Sequence, residues 1–213
     1  MKRILVAWIV SLILILVLSY RISLPYHFQG EHKLCEGMRL KTPQDTSFSL
    51  GFNSKYNLLH LNGPLEIGVV AAFEKSLTEH PGTKGLILDS EGGNIYQARG
   101  LARIIQDYSL NTYSFEVCYS ACTIAYVAGT RRFIGPEAKL GFHAYHVDSK
   151  FLEPLVDVEK EQNKDLIFFK QQIPDMNFVN NIFARECSNM WLPTTNELMS
   201  AGVVHELLLN WKP

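Results

Sequence analysis

Cys118-Tyr119-Ser120-Ala121-Cys122, with the apolar run Thr123 to Gly129 behind it, is the stretch from which the fold can be read. Before it, Thr112 to Val117 alternates as a strand does and delivers Cys118. After it, Ala121 to Ala128 is apolar nearly all round, which predicts a short central helix buried on every side, with Gly129 as its C′ stop. Ser120 therefore falls where a strand gives way to a helix. One unit upstream, Gly85 to Asp89 reads as a buried strand. It runs into the polar turn Ser90-Glu91-Gly92-Gly93 and then a helical face of Ile95, Ala98, Leu101, Ala102 and Ile105. One unit downstream, Arg132 to Ile134 and Lys139 to His143 read as short strands around Gly135-Pro136. A serine at a helix start, a glycine turn beside it and a histidine from a later strand are the parts of a nucleophilic acyl-transfer site.

The rest of the chain frames these parts. Asn57 to Gly63 is a strand. Glu66 to His80 carries Val69, Val70, Phe73 and Leu77 at helical spacing, and Pro81 to Lys84 is a turn. Leu152 to Ile173 reads as a longer helix, charged in its first half and ended by Pro174; a helical stretch Phe178 to Glu186 follows. Thr194 and Glu197 form a capping box, the helix they open stops at Gly202, and Val203 to Leu207 is a last strand. Strands alternating with helices of this length predict an α/β fold with a mainly parallel sheet, occupying residues 56–213. Residues 23–55 read as a linker with first strands near Met38-Arg39-Leu40 and Ser47 to Leu50.

The first 22 residues are of another kind. Lys2 and Arg3 precede an almost unbroken apolar run, Ile4 to Tyr20. This run lies at the short end of a membrane span of about 17–25 residues. No small-x-small cleavage site follows, so the segment reads as an uncleaved anchor rather than a removed signal peptide. By the positive-inside rule the remainder lies outside the cytoplasmic membrane, in a periplasmic or other extracytoplasmic space. The four cysteines, Cys35, Cys118, Cys122 and Cys187, suit such an oxidising setting. Three pairings are open, as are free buried thiols. Cys118–Cys122 with Cys35–Cys187 is preferred, and it requires Cys118 to sit on the strand, since an i,i+4 pair inside a helix is too far apart. A net charge of −1 gives no basic surface for nucleic acid.

With these residues assembled, the chain resembles the ClpP/crotonase superfamily, in particular the proteolytic subunit of Clp protease and its exported or membrane-anchored single-domain relatives. The resemblance runs from about Leu58 to Leu208. Ser90-Glu91-Gly92-Gly93 is similar to the family's Ser-Pro-Gly-Gly turn, and Ser120 follows it at the family's helix start. Ala128-Gly129, then Arg132-Phe133 and Pro136, lead to His143 as the family's segment leads to its catalytic histidine. Glu197 to Val204 resembles the family's ending. The resemblance implies a repeated ββα spiral, a serine peptidase acting on polypeptide, a homo-oligomer built partly through the Leu152–Ile173 helix, and no cofactor or metal. His143 and His146 alone make no metal site, for a third ligand is lacking.

In the roles so implied, Ser120 is the nucleophile and His143 its base and later its acid. The N–H groups of Gly93 and Ala121 form the oxyanion hole, the latter at a helix N-terminus. The departure is the third member of the triad. The family's aspartate would fall near Met190, beside Cys187, Ser188 and Asn189, none of them acidic. Asn189 is the candidate orienter, with Glu186 or Asp175 as substitutes by another route. Two other readings stand beside the hydrolase. One is a non-catalytic scaffold of the same fold, in which Ser120 is only a helix N-cap. The other is a crotonase-type acyl-CoA enzyme, against which the serine–histidine pair counts.

Overall fold

Gly85–Asp89 forms strand β3, and all five of its residues are buried. Such a strand needs cover on both sheet faces, which places it at the middle of a parallel sheet. In the computed structural model, which describes residues 47–145, 157–185 and 189–211, it lies there. Before it come β1 (Ser49–Asn53), β2 (Leu58–Asn62) and helix α1 (Val69–Glu79). After it come α2 (Ile95–Asp107), β4 (Asn111–Ser114), β5 (Val117–Tyr119) and α3 (Cys122–Val127). The chain continues through β6 (Arg132–Ile134), β7 (Lys139–Gly141), α4 (Val158–Gln172), α5 (Met176–Asn181), α6 (Thr195–Ser200) and β8 (Glu206–Leu207). The six-stranded sheet has the order β1-β2-β3-β4-β6-β8 and is parallel apart from the β1–β2 hairpin. Thus the α/β class and the parallel sheet are as expected.

The spiral shows in what each turn contributes. One stretch joins the large sheet, and the next few residues join a second, shorter row. That row runs through the bridge Leu65–Gly93, the bridge Ser90–Cys118, the parallel pair β5–β7 and the bridge Phe142–Trp191. The expected single strand Thr112–Val117 is therefore two strands in two sheets. Asp89 causes the break. Its Oδ1 accepts the N–H groups of Phe115 at 3.2 Å and Glu116 at 3.0 Å, so these donors are satisfied off the sheet.

The core lies between the large sheet and α1, α2 and α3. Phe73, Leu77, Leu101 and Ile105 meet Leu59, Leu61, Leu86 and Leu88 there, and every residue of α3 is buried. The helix stops after Val127 without a left-handed residue: Gly129 is instead a contact glycine, its Cα facing the Thr112 side chain. Arg132 is buried although, among the described residues, no carboxylate pairs with it. Its guanidinium donates to the carbonyls of Val127 at 3.0 Å, Gln172 at 3.2 Å, Gly202 at 2.7 Å and Val203 at 2.7 Å. These carbonyls end or follow α3, α4 and α6, so one cation meets the negative poles of three helices.

The capping box is present: Glu197 N–H donates to Thr194 Oγ1, and Glu197 Oε2 accepts from Thr194 N–H at 2.7 Å. The stretch after Phe178 is helical only to Asn181, and the last strand is confined to Glu206–Leu207. The expected membrane segment Ile4–Tyr20, the strand near Met38, Cys35, Cys187, His146 and Glu186 lie outside the described residues. Among the described residues no helix is long and apolar enough to cross a membrane.

Candidate active site

Ser120 stands at the turn from β5 into α3 in a left-handed conformation, φ 54°. A residue with a Cβ adopts that region only where its surroundings impose it. Five interactions do so here. The Ser120 N–H donates to the Gly141 carbonyl at 2.8 Å, and its own carbonyl accepts from Thr123 N–H at 3.0 Å and Thr123 Oγ1 at 2.7 Å. Gly92, at φ 100°, packs against it so closely that a Cβ there would lie 2.9 Å from Ser120 Cβ. Finally, Cys118 and Cys122 are joined in a disulfide across the turn, with Cα atoms 5.3 Å apart. That pairing is as expected, and Cys118 sits on the strand as it requires. The Ser120 side chain does not cap α3, which has no side-chain cap.

Gly93 is exposed at φ 134°, and Ala121 is buried at the start of α3. Among the described residues neither N–H donates a hydrogen bond. Gly92 lacks a side chain because Tyr119, Ser120 and Ala121 occupy the space, and Gly93 because the Leu65 backbone does. Beside Ser120, burial and then the Glu91 carboxylate push the Tyr119 phenol up, so it remains protonated at neutral pH.

His143 is buried, two residues beyond the Gly141 carbonyl that holds Ser120. Its Nδ1 lies 2.7 Å from the Ala144 carbonyl oxygen. A carbonyl only accepts, so Nδ1 carries the proton and Nε2 the lone pair. That is the tautomer a serine's general base needs, obtained here from a main-chain carbonyl.

The expected orienter is not at Nδ1. Asn189 is exposed, and no hydrogen bond among the described residues joins it to His143. Asp175 is the N-cap of α5, accepting from Asn177 and Phe178. Met190, near which the family's acid would fall, presses its sulfur against the bare Cα of Gly141. A cluster missed in the sequence lies behind the histidine. Arg99 of α2 pairs with Glu161 and, through Nε at 2.8 Å and Nη2 at 2.6 Å, with Asp165 of α4; Tyr145 donates its hydroxyl to Asp165 at 2.7 Å. Burial alone would lower the Arg99 guanidinium, but the bonds to Asp165 and Glu161 outweigh it and hold the group above its ordinary value. Glu161 and Asp165 share the buried stripe of α4 with Phe169, at helical spacing. That spacing was the available signal.

Neither a family model nor a curated protein matches the chain. Among solved structures it is similar to ClpP1 from Listeria monocytogenes, with 14% identity and a TM-score of 0.59 over 74% of this chain and 94% of that one. It is similar also to a point mutant of that protein, at 13% identity and 0.60 over 73% and 93%. A third, titled only as an enzyme, matches at 14% and 0.59 over 72% and 96%. At such identity the likeness shows the fold, a ClpP-like arrangement with a mostly parallel sheet.

Proposed function

We propose that the chain is a serine hydrolase, a Clp-like peptidase anchored to the cytoplasmic membrane with its catalytic domain on the extracytoplasmic side. The left-handed Ser120 carries the reading. A strained serine that caps nothing, held at a helix start beside two N–H groups that donate to none of the described residues, is a costly arrangement for a turn and a useful one for a nucleophile. In the proposed reaction Ser120 Oγ attacks a peptide carbonyl carbon while its proton passes to His143 Nε2. The oxyanion is met by the N–H groups of Gly93 and Ala121. Collapse breaks the C–N bond, the proton goes to the leaving amine, and water then hydrolyses the acyl-enzyme by the same route in reverse.

The substrate proposed is polypeptide, and by likeness to Clp subunits the active form is a homo-oligomer. The location rests on Lys2, Arg3 and the run Ile4–Tyr20, and the Cys118–Cys122 disulfide suits it. One observation favours a scaffold instead: Met190, near which the family's acid would fall in the sequence, carries no carboxylate and packs against Gly141.

The test is labelling of the full chain with a fluorophosphonate serine probe, beside Ser120→Ala and His143→Ala. Label on the wild type, absent from both variants, is the expected result. A folded, oxidised wild type that takes no label would leave the scaffold. A reporter fused after Pro213 that is active only in the cytoplasm would overturn the location.

A further inference from the structure

We infer that Gln162 is a positioning residue for His143, acting through the Ala144–Tyr145 peptide. The inference rests on the Ser120/His143 reading. It follows from one planar group. The Ala144 carbonyl and the Tyr145 N–H belong to the same peptide unit, so fixing the direction of one fixes the other. The carbonyl end faces His143 Nδ1 at 2.7 Å. The N–H end donates to Gln162 Oε1 on α4 at 2.6 Å. Gln162 therefore sets the plane whose other end selects the imidazole tautomer.

The rest of the segment is braced to keep that plane still. Ala144 N–H donates to the Arg185 carbonyl at 2.6 Å. Just beyond the peptide, the Tyr145 ring stands edge-on to Phe183, with centroids 5.0 Å apart, and its hydroxyl reaches Asp165. Asp165 is itself held by Arg99 from α2. A chain of hydrogen bonds thus links α2 to α4 and α4 to the histidine segment. A side-chain amide suits the post: its oxygen accepts from a main-chain N–H without bringing a third carboxylate beside Glu161 and Asp165.

The test uses the full chain with ¹⁵N-labelled histidine, assigned through His143→Gln. Two readouts are taken together: the His143 tautomer from long-range ¹H–¹⁵N spectra, and the rate of fluorophosphonate labelling. Gln162→Met keeps the length of the side chain and loses the acceptor. It is expected to move His143 from the Nδ1–H form to a mixture and to slow labelling about 10–100-fold, the usual scale for an outer-shell partner. Gln162→Glu keeps an acceptor oxygen and should restore the Nδ1–H form and most of the rate, which packing alone would not do. Tyr145→Phe, which loses only the bond to Asp165, should shift both readouts less, and it serves should Gln162→Met not fold. A folded Gln162→Met protein with the wild-type tautomer and rate overturns the inference. If the wild type takes no label, the hydrolase reading falls, while the tautomer comparison still decides the role of Gln162.

Discussion

Gly92 and Ser120 occupy one another's space. A Cβ on Gly92 would stand 2.9 Å from Ser120 Cβ and 2.6 Å from the Tyr119 carbonyl oxygen, and the backbone there is at φ 100°. Neither neighbour is the loose end of a side chain, so neither can yield cheaply. Gly92→Ala is expected to cost about 2–4 kcal/mol in strain and overpacking, and to abolish serine labelling. Gly51→Ala, where a Cβ meets nothing within 4 Å, is the control. Denaturant midpoints for the two variants compare them directly.

The conformation of Ser120 has its own consequence. At φ 54° an alanine keeps the strain of the left-handed region, whereas a glycine has none. Both substitutions remove the nucleophile, yet Ser120→Gly should be more stable than Ser120→Ala by about 1 kcal/mol. Equal stabilities would mean that the turn relaxes out of the left-handed region in solution.

The disulfide brackets the same turn. Cys118 and Cys122 are fully buried and enclose a very short loop, for which the chain-entropy argument gives a contribution of about 2 kcal/mol. Replacing both by alanine should lower stability by about that amount. Labelling should fall further than stability does, because the bond spans the nucleophile. In the native wild type this bond should resist a mild reductant until the chain unfolds, which alkylation followed by mass analysis of the 118–122 peptide will report.

Much of this was legible before the coordinates. β3, α2, the buried helix α3, the capping box and the serine's place at a strand–helix boundary follow from period and turn chemistry, which act within a few residues. What was missed depends on distant partners. The split of Thr112–Val117 is made by Asp89, one unit earlier in the spiral. Arg132 was placed on a short strand, and only the meeting of three helix ends shows why a cation is buried there. Glu161 and Asp165 were only part of a helix read as charged in its first half, and their pairing depends on Arg99 of α2. Asn189 was nominated for want of an acid, and an acceptor at Nδ1 is the Ala144 carbonyl, which no side-chain pattern can announce.

The acid side of the stability curve should carry a mark of His205. Partial desolvation, then the positive charges of Arg132 and Arg131, hold its imidazole below the usual histidine range, although the residue is exposed at one side. The Arg132 main-chain N–H donates to Nδ1 at 3.1 Å, a bond that protonation would destroy. A depressed folded-state value means that the native chain binds fewer protons than the unfolded one. The contribution is then complete above about pH 6.5 and is lost as the pH falls through the folded value. His205→Gln, which does not titrate, should flatten the decline in stability below about pH 6.5, measured as denaturant midpoint against pH. A decline of unchanged slope would assign it to other groups.

Arg132 makes the sharpest demand on the fold as a whole. Its bonds to Val127, Gln172, Gly202 and Val203 gather carbonyls that a helix end leaves without intrahelical donors. Arg132→Met would fill much of the same volume and leave these buried acceptors without a donor. The expected cost is about 3–5 kcal/mol, the scale for removing one partner of a buried charged cluster. Arg132→Lys brings a single compact donor to a site shaped for a planar fork, and should recover only part of it. Because α3 follows Ser120 directly and α4 carries Gln162, the loss should reach the site even where the chain stays folded. Thermal unfolding and serine labelling, measured on the same three proteins, should therefore fall in one order: wild type, Arg132→Lys, Arg132→Met.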